Sequence, residues 1–212
     1  CLGYLCNNHF ALGDYESAKQ FNQRNIVLSR DLADQNGLAN SLDTGGLIEF
    51  MHGHFDLAEK QCSQALALYQ EIGARRDEAY ALTHLGLVAI QQDDLNRAAT
   101  YLKNAVDYRT ESGEFAARID SLAAIANVHA LRGEHEKSIT IVDTIIAYLY
   151  DHGMDGIELP FLALVTCAEI LLDAYWTEPS CGERGRDLLK KGHAELERRA
   201  TAIDDHEERQ RF

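Results

Sequence analysis

Four hexapeptides decide the architecture of this chain: GDYESA at Gly13–Ala18, GHFDLA at Gly53–Ala58, DDLNRA at Asp93–Ala98 and GEHEKS at Gly133–Ser138. Their starts stand forty residues apart. The same register places Leu2, Leu42, Leu82 and Leu122 at one position, and Cys6, Gly46, Gly86 and Ala126 at another. A fixed period of this length marks stacked supersecondary units, each too small to bury its apolar face alone.

Within a unit the pattern reads helix, tight turn, helix. In the third unit Ala79, Leu82, Leu85, Gly86 and Ala89 fall at three- and four-residue steps, and Leu95, Ala98, Leu102, Ala105 and Val106 resume the stripe after Gln92-Asp93-Asp94. Small residues such as Gly86 and Ala98 let the paired backbones approach. Gly13, Gly53 and Gly133 suit a left-handed turn, whereas Asp93 tolerates that conformation less well and predicts the most strained corner. Gly73, Gly113 and Gly153 mark the joints between units. The spacing predicts helices over 1–12, 15–33, 36–52, 55–72, 76–92, 95–112, 115–132, 135–152, 158–175 and 183–202. The loosest joint is 153–160, where Pro160 favours a fresh helix start.

Composition limits the function classes. The 212 residues are 46% hydrophobic with two prolines, an ordinary globular make-up able to bury a core. Against 34 acidic side chains stand 20 basic ones, and the net charge of −14 disfavours nucleic acid and anionic membrane surfaces as partners. Residues 183–212 are balanced in charge, so the excess lies before them. It reads as a solvated helical face, with an acidic surface that steers a basic partner as the alternative. No run of about 18 apolar residues suggests a spanning helix, and no signal segment opens the chain at Cys1. Five cysteines, Cys1, Cys6, Cys62, Cys167 and Cys181, lack paired close spacing, which fits a reducing cytoplasm, and Cys6, Cys62 and Cys167 read as small core hydrophobes.

The stretch GARRDEAYALTHLGLVAIQQDDLNRAATYLKNAV, Gly73–Val106, resembles the tetratricopeptide repeats in their forty-residue form, with the leucine, the leucine-glycine pair and the alanine of that pattern in order. The resemblance covers residues 1–152 as four helical hairpins. Unit one departs from it at Cys6, Asn22 and Asn25, and unit four at Ala126, Ser138 and Ile145. Residues 153–212 read as a divergent fifth hairpin and capping tail. The resemblance implies an all-α, right-handed TPR-like solenoid of about five hairpins. The tail, with Arg199-Ala200, Ile203, Asp204-Asp205, Arg209 and Phe212, is similar to the end of the repeat arm in large bacterial signalling ATPases and transcription activators of the maltose-regulator type. That likeness, and the mid-helix register of Leu2, imply a piece of a longer chain.

In such a solenoid the first helix of each pair lines the concave face. Positions one turn either side of the core stripe are then expected to face a ligand: Tyr4, Asn7, Phe10, Asn40, Thr44, Leu47, Phe50, Tyr80, Thr83, His84, Leu87 and Asn127, accompanied by Asp43, Met51, Asp120 and Leu131. Aromatics, leucines and amides suit an extended peptide or a helix, and the absence of lysine and arginine argues against a carboxylate-clamp ligand. The alternative is that Phe10, Leu47, Phe50 and Leu87 pack against neighbouring helices.

Signals for chemistry are sparse. Glu49, His52, His54 and Asp56 form a weak metal-like cluster, with Glu49 and His52 one turn apart. Cys6 and His9 share a helical turn without an oriented base or an oxyanion site. His135 and His206 sit among carboxylates at exposed ends. No phosphate-binding glycine loop or dinucleotide fingerprint occurs, so any ATPase or cyclase activity would belong to another domain. The sequence therefore predicts a non-catalytic scaffold without cofactor or metal, binding protein, peptide or another domain of its own polypeptide, as the arm of a bacterial regulator. The alternatives are a freestanding adaptor and a peptide-pheromone receptor.

Overall fold

The computed structural model describes residues 2–174 and 178–201. Among these the chain forms ten α-helices and no strand: α1 (Leu2–Ala11), α2 (Tyr15–Asp31), α3 (Gln35–Met51), α4 (Phe55–Ile72), α5 (Arg75–Gln91), α6 (Leu95–Ser112), α7 (Arg118–Leu131), α8 (His135–His152), α9 (Pro160–Asp173) and α10 (Pro179–Thr201). None of the described helices is long and apolar enough to cross a membrane.

The forty-residue period has a twenty-residue structural period inside it. Positive φ recurs at Gly13, Ala33, Gly53, Gly73, Asp93, Gly113, Gly133 and Gly153, one residue at each helix end from α1 to α8. The corners inside hairpins share two bonds. The amides of Gly13, Gly53, Asp93 and Gly133 reach the carbonyl three residues back, and the next amide reaches the carbonyl five residues back at 2.9 Å in every case. This double bond satisfies carbonyls that a helix end otherwise leaves open. Asp93 keeps both bonds at φ 61°, as the sequence reading expects of a strained corner. Ala33, at φ 53°, is a second strained position.

The second helix of each hairpin buries one stripe. Ala58, Cys62, Ala65 and Tyr69 on α4 recur as Ala98, Leu102, Ala105 and Arg109 on α6 and as Ser138, Val142, Ile145 and Leu149 on α8. The first helices are enclosed more fully, because neighbours pack on more than one side of them. Every residue of α5 from Ala81 to Gly86 is buried.

The chain divides into two compact units at Asp94/Leu95. In the first, α1 packs on α2, α2 on α3, α3 on α4 and α4 on α5. One apolar cluster joins Ala39, Leu42, Ala65, Tyr69 and Ala81, and another joins Cys6, Ala18 and Ile48. Gly46 is required by this packing, since a Cβ there would run into Cys62 Sγ and the backbone of α4. In the second unit α7 packs on α6, α8 and α9. Its core runs from Ile119 and Ala126 through Val142, Ile145 and Leu149 to Leu164, Cys167, Leu171, Cys181 and Leu188. Gly192 lets α10 close on Leu164.

Three helix starts differ from the sequence reading by two residues or more, and local chemistry accounts for two of them. α7 begins at Arg118 rather than 115, and the buried Arg109 guanidinium donates to the Ala117 carbonyl and, at 3.1 Å, to Ser121 Oγ. That guanidinium holds the 115–117 turn in place. α9 begins at Pro160 rather than 158, because the amides of Glu158 and Leu159 are held outside the helix by Asp120 at 3.0 and 3.1 Å. The third, α10, starts at Pro179 rather than 183. The predicted tail residues Ile203, Asp204, Asp205, His206, Arg209 and Phe212 lie outside the described residues, as does Cys1.

Candidate functional site

The residues expected to face a ligand separate into two groups. In the first unit Tyr4 is 75% exposed and Asn7 is exposed, while Phe10, Thr44, Phe50, Tyr80 and Leu87 are half-buried. Asn40 is exposed at its residue surface, and its Oδ1 accepts from the Tyr69 hydroxyl at 2.8 Å. In the second unit Asn127 is half-buried and Leu131 exposed. Two of the half-buried rings already have aromatic neighbours, Phe10 against Tyr15 at 5.3 Å and Phe50 against Phe55 at 5.8 Å.

Leu47, Thr83 and His84 are corrections. Leu47 is 3% exposed, Thr83 is closed off with its hydroxyl on the Ala79 carbonyl at 2.8 Å, and His84 is 2% exposed. Asp43 and Asp120 are buried as well. Periodicity alone leaves one face of the first helix free, whereas α3 is packed against α1, α2, α4 and α5, and α5 is buried at every residue from Ala81 to Gly86. Leu47 follows the alternative reading, in which the apolar strip packs against neighbouring helices.

The weak metal-like cluster at the α3–α4 corner is brought together only in part. Glu49 pairs with Lys19 at 2.8 Å and with His54 at 2.7 Å, while His52 turns to Glu16 at 3.5 Å. Burial pushes the Glu49 carboxyl up, yet the bonds from Lys19 and His54 prevail and hold it below the ordinary carboxylate range. Cys6 and His9 also part company. Cys6 is buried and its thiol is pushed up to about 11 by desolvation, and His9 stacks on Phe21 and bonds Asp14.

Three buried side chains from three different helices do converge. Asp43 on α3, Cys62 on α4 and His84 on α5 bring their carboxylate oxygen, sulfur and imidazole nitrogen within 4.8 Å of one another. His84 Nδ1 lies 2.9 Å from Asp43 Oδ1. Desolvation, and to a smaller degree the charge of Asp43, raises the Cys62 thiol to about 11 against a bond from His84. Such a thiol is a poor nucleophile. No local spacing could reveal this group, because its members lie 19 and 22 residues apart in the chain.

Comparison with solved structures gives the fold. The chain is similar to BtubC (BKLC) from P. vanneervenii at a TM-score of 0.69 and 14% identity, covering 90% of this chain and 79% of that one. It is also similar to a putative kinesin light chain of P. anserina with nearly identical TPR-like repeats. A singly substituted form of that protein matches at a TM-score of 0.61 and 12% identity over 91% of this chain and 92% of that one. A second structure of that protein matches at 0.60 and 11% over 96% of both. No family model and no curated protein matches the sequence. The fold class is accordingly all-α and TPR-like, as the forty-residue period predicts.

Proposed function

We propose that this chain is a non-catalytic protein- or peptide-binding scaffold. The observation that supports it best is the exposure of Tyr4, Asn7 and Asn40 on first helices of a TPR-like array, where an aromatic ring and two amides suit a peptide backbone. Burial that raises the thiols of Cys6, Cys62 and Cys167 to about 11, 11 and 12 gives further support, since it leaves them unsuited to nucleophilic catalysis. Within this reading the chain is the sensor or interaction arm of a multidomain bacterial signalling regulator in the cytoplasm. Ligand capture would then bias an equilibrium elsewhere through differential affinity for two states. Within the first unit the surface that remains for a ligand is Tyr4, Asn7, Asn40, Thr44 and Tyr80; the second unit, taken by itself, offers Asn127. Phe10, Phe50 and Leu87 flank it.

The experiment is to immunoblot source cells with an antibody raised to this chain, then measure the affinity of the co-purified partner for Tyr4→Ala and Tyr80→Ala. A band several times 23.7 kDa and an affinity lowered about tenfold or more support the arm reading. A band near 23.7 kDa would instead favour the freestanding adaptor, and unchanged affinity would remove these positions from the surface.

A further inference from the structure

We propose that Asp43, Cys62 and His84 form a buried binding site for a divalent metal ion that favours thiolate and imidazole ligands, zinc first among them. Each side chain comes from a separate helix of the first unit, α3, α4 and α5, so the group exists only when all three are packed. All three are more than nine-tenths buried: 6% exposure for Asp43, none for Cys62 and 2% for His84. Their donor atoms lie within 4.8 Å of one another, and the Asp43–His84 pair already stands at 2.9 Å. Tetrahedral zinc, at about 2.0–2.3 Å from each donor, needs donor separations of roughly 3.3–3.8 Å, so the Asp43–His84 pair must open by a few tenths of an ångström, and the sulfur, within 4.8 Å of both, has at most about 1 Å to close. Gly46 lets the Cys62 sulfur sit against α3, because any Cβ there would collide with it.

Charge points the same way. A thiolate and a carboxylate balance a divalent cation, and a neutral imidazole adds a third ligand, leaving an electrically neutral centre in an apolar interior. One soft sulfur with one imidazole selects zinc over magnesium or calcium, which prefer all-oxygen cages. The fourth position falls to the second oxygen of Asp43 or to a water molecule. Closure from solvent suits a structural site that pins α3, α4 and α5 together rather than a catalytic one.

The test uses the full chain, unfolded in guanidinium with a chelator and refolded with an equimolar amount of Zn²⁺ or, as a spectroscopic stand-in, Co²⁺. The proposal expects retention of the metal after gel filtration, a raised Tm with Zn²⁺, and a sulfur-to-cobalt charge-transfer band with Co²⁺. Cys62→Ser is expected to lose the band and to bind Zn²⁺ at least about tenfold more weakly, whereas Cys167→Ser retains both properties. Refolded unaltered protein that shows no sulfur band and no retained metal would overturn the site, leaving Asp43, Cys62 and His84 as a hydrogen-bonded network alone. Because that readout needs no variant, it decides the matter even if Cys62→Ser does not fold.

Discussion

Glu49 Oε2 and His54 Nδ1 meet at 2.7 Å across the α3–α4 corner, and eighty residues further on the same two positions hold the reverse pair, His129 and Glu134, also at 2.7 Å. His9 and Asp14 make the corresponding contact at 3.2 Å across the α1–α2 corner. Acid and base have exchanged places while the clasp has stayed, so the position requires a complementary pair rather than a particular residue. The α5–α6 corner has Ala89 in place of the first partner, and it is the corner that has lost its glycine too.

The clasps predict acid sensitivity. Hydrogen bonds, from Ser17 first and His9 second for Asp14 and from Lys137 first and His129 second for Glu134, hold both below the ordinary carboxylate range, and bonds from Lys19 and His54 do so for Glu49 against its burial. A depressed folded-state value stabilises the fold above the unfolded carboxylate range, and that contribution disappears as pH falls through the folded value. Urea unfolding of Glu49→Gln should show about 1–2 kcal/mol lost at pH 7 and a smaller loss near pH 3. Equal losses at both values would refute the clasp as an ionic contact.

Backbone strain makes a second set of outcomes. Nothing lies within 4 Å of a Cβ built at Gly13, Gly53 or Gly133, so glycine serves the positive φ there and not the packing. Ala33→Gly should stabilise by roughly 0.5–1 kcal/mol, the relief of a left-handed alanine less the entropy of glycine in the unfolded chain. Asp93→Gly should gain less, because aspartate accepts this region better than alanine. Gly153, at φ 74° and ψ −152°, occupies a region open essentially to glycine alone, and Gly153→Ala should cost about 1–3 kcal/mol. Thermal unfolding of the three variants ranks them.

Asp120 should titrate near neutrality. Burial, then the charge of Glu158, pushes its carboxyl up to about 7, against amide bonds from Glu158 and Leu159 and the positive charge of Arg109. Here the folded value lies above the unfolded one, so this contribution to stability is complete below about pH 4 and is lost as pH rises through 7. The stability difference between the unaltered chain and Asp120→Asn should therefore shift in favour of the variant by a few kcal/mol from about pH 4 to about pH 8. A difference independent of pH would contradict it.

Core truncation should follow the repeat register. Leu102 is fully buried at the position held by Cys62 and Val142 in the flanking units. Leu102→Ala should cost about 2–5 kcal/mol, and Val142→Ala less, because fewer methyl groups leave the core. Denaturant midpoints read both.

Most of the helical layout is legible because apolar steps and turn glycines repeat at forty residues, a signal that survives local substitutions. Ala33 occupies the joint register of Gly73, Gly113 and Gly153, and although the break between residues 33 and 36 is legible, an alanine in place of the glycine conceals the left-handed backbone there. The starts of α7 and α9 are hidden for another reason: Arg109 and Asp120 act on backbone groups 8 and 38–39 residues away, which no helical periodicity reports. The surface is half legible. Tyr4, Asn7 and Asn40 are open, but His84, Thr83 and Leu47 show that a packed first helix has less free surface than its own stripe suggests. The Asp43–Cys62–His84 group is invisible for want of any local spacing.

The central claim, that the chain binds protein or peptide along its first helices, is tested most directly by photo-crosslinking in source cells. A photoreactive residue would replace Tyr4, Asn40 or Tyr80 in turn, with exposed Lys103 on α6 as the control. The account predicts one shared cross-linked partner at Tyr4, Asn40 and Tyr80 and none at Lys103. No adduct at those three positions, or the same adducts at Lys103, would contradict it.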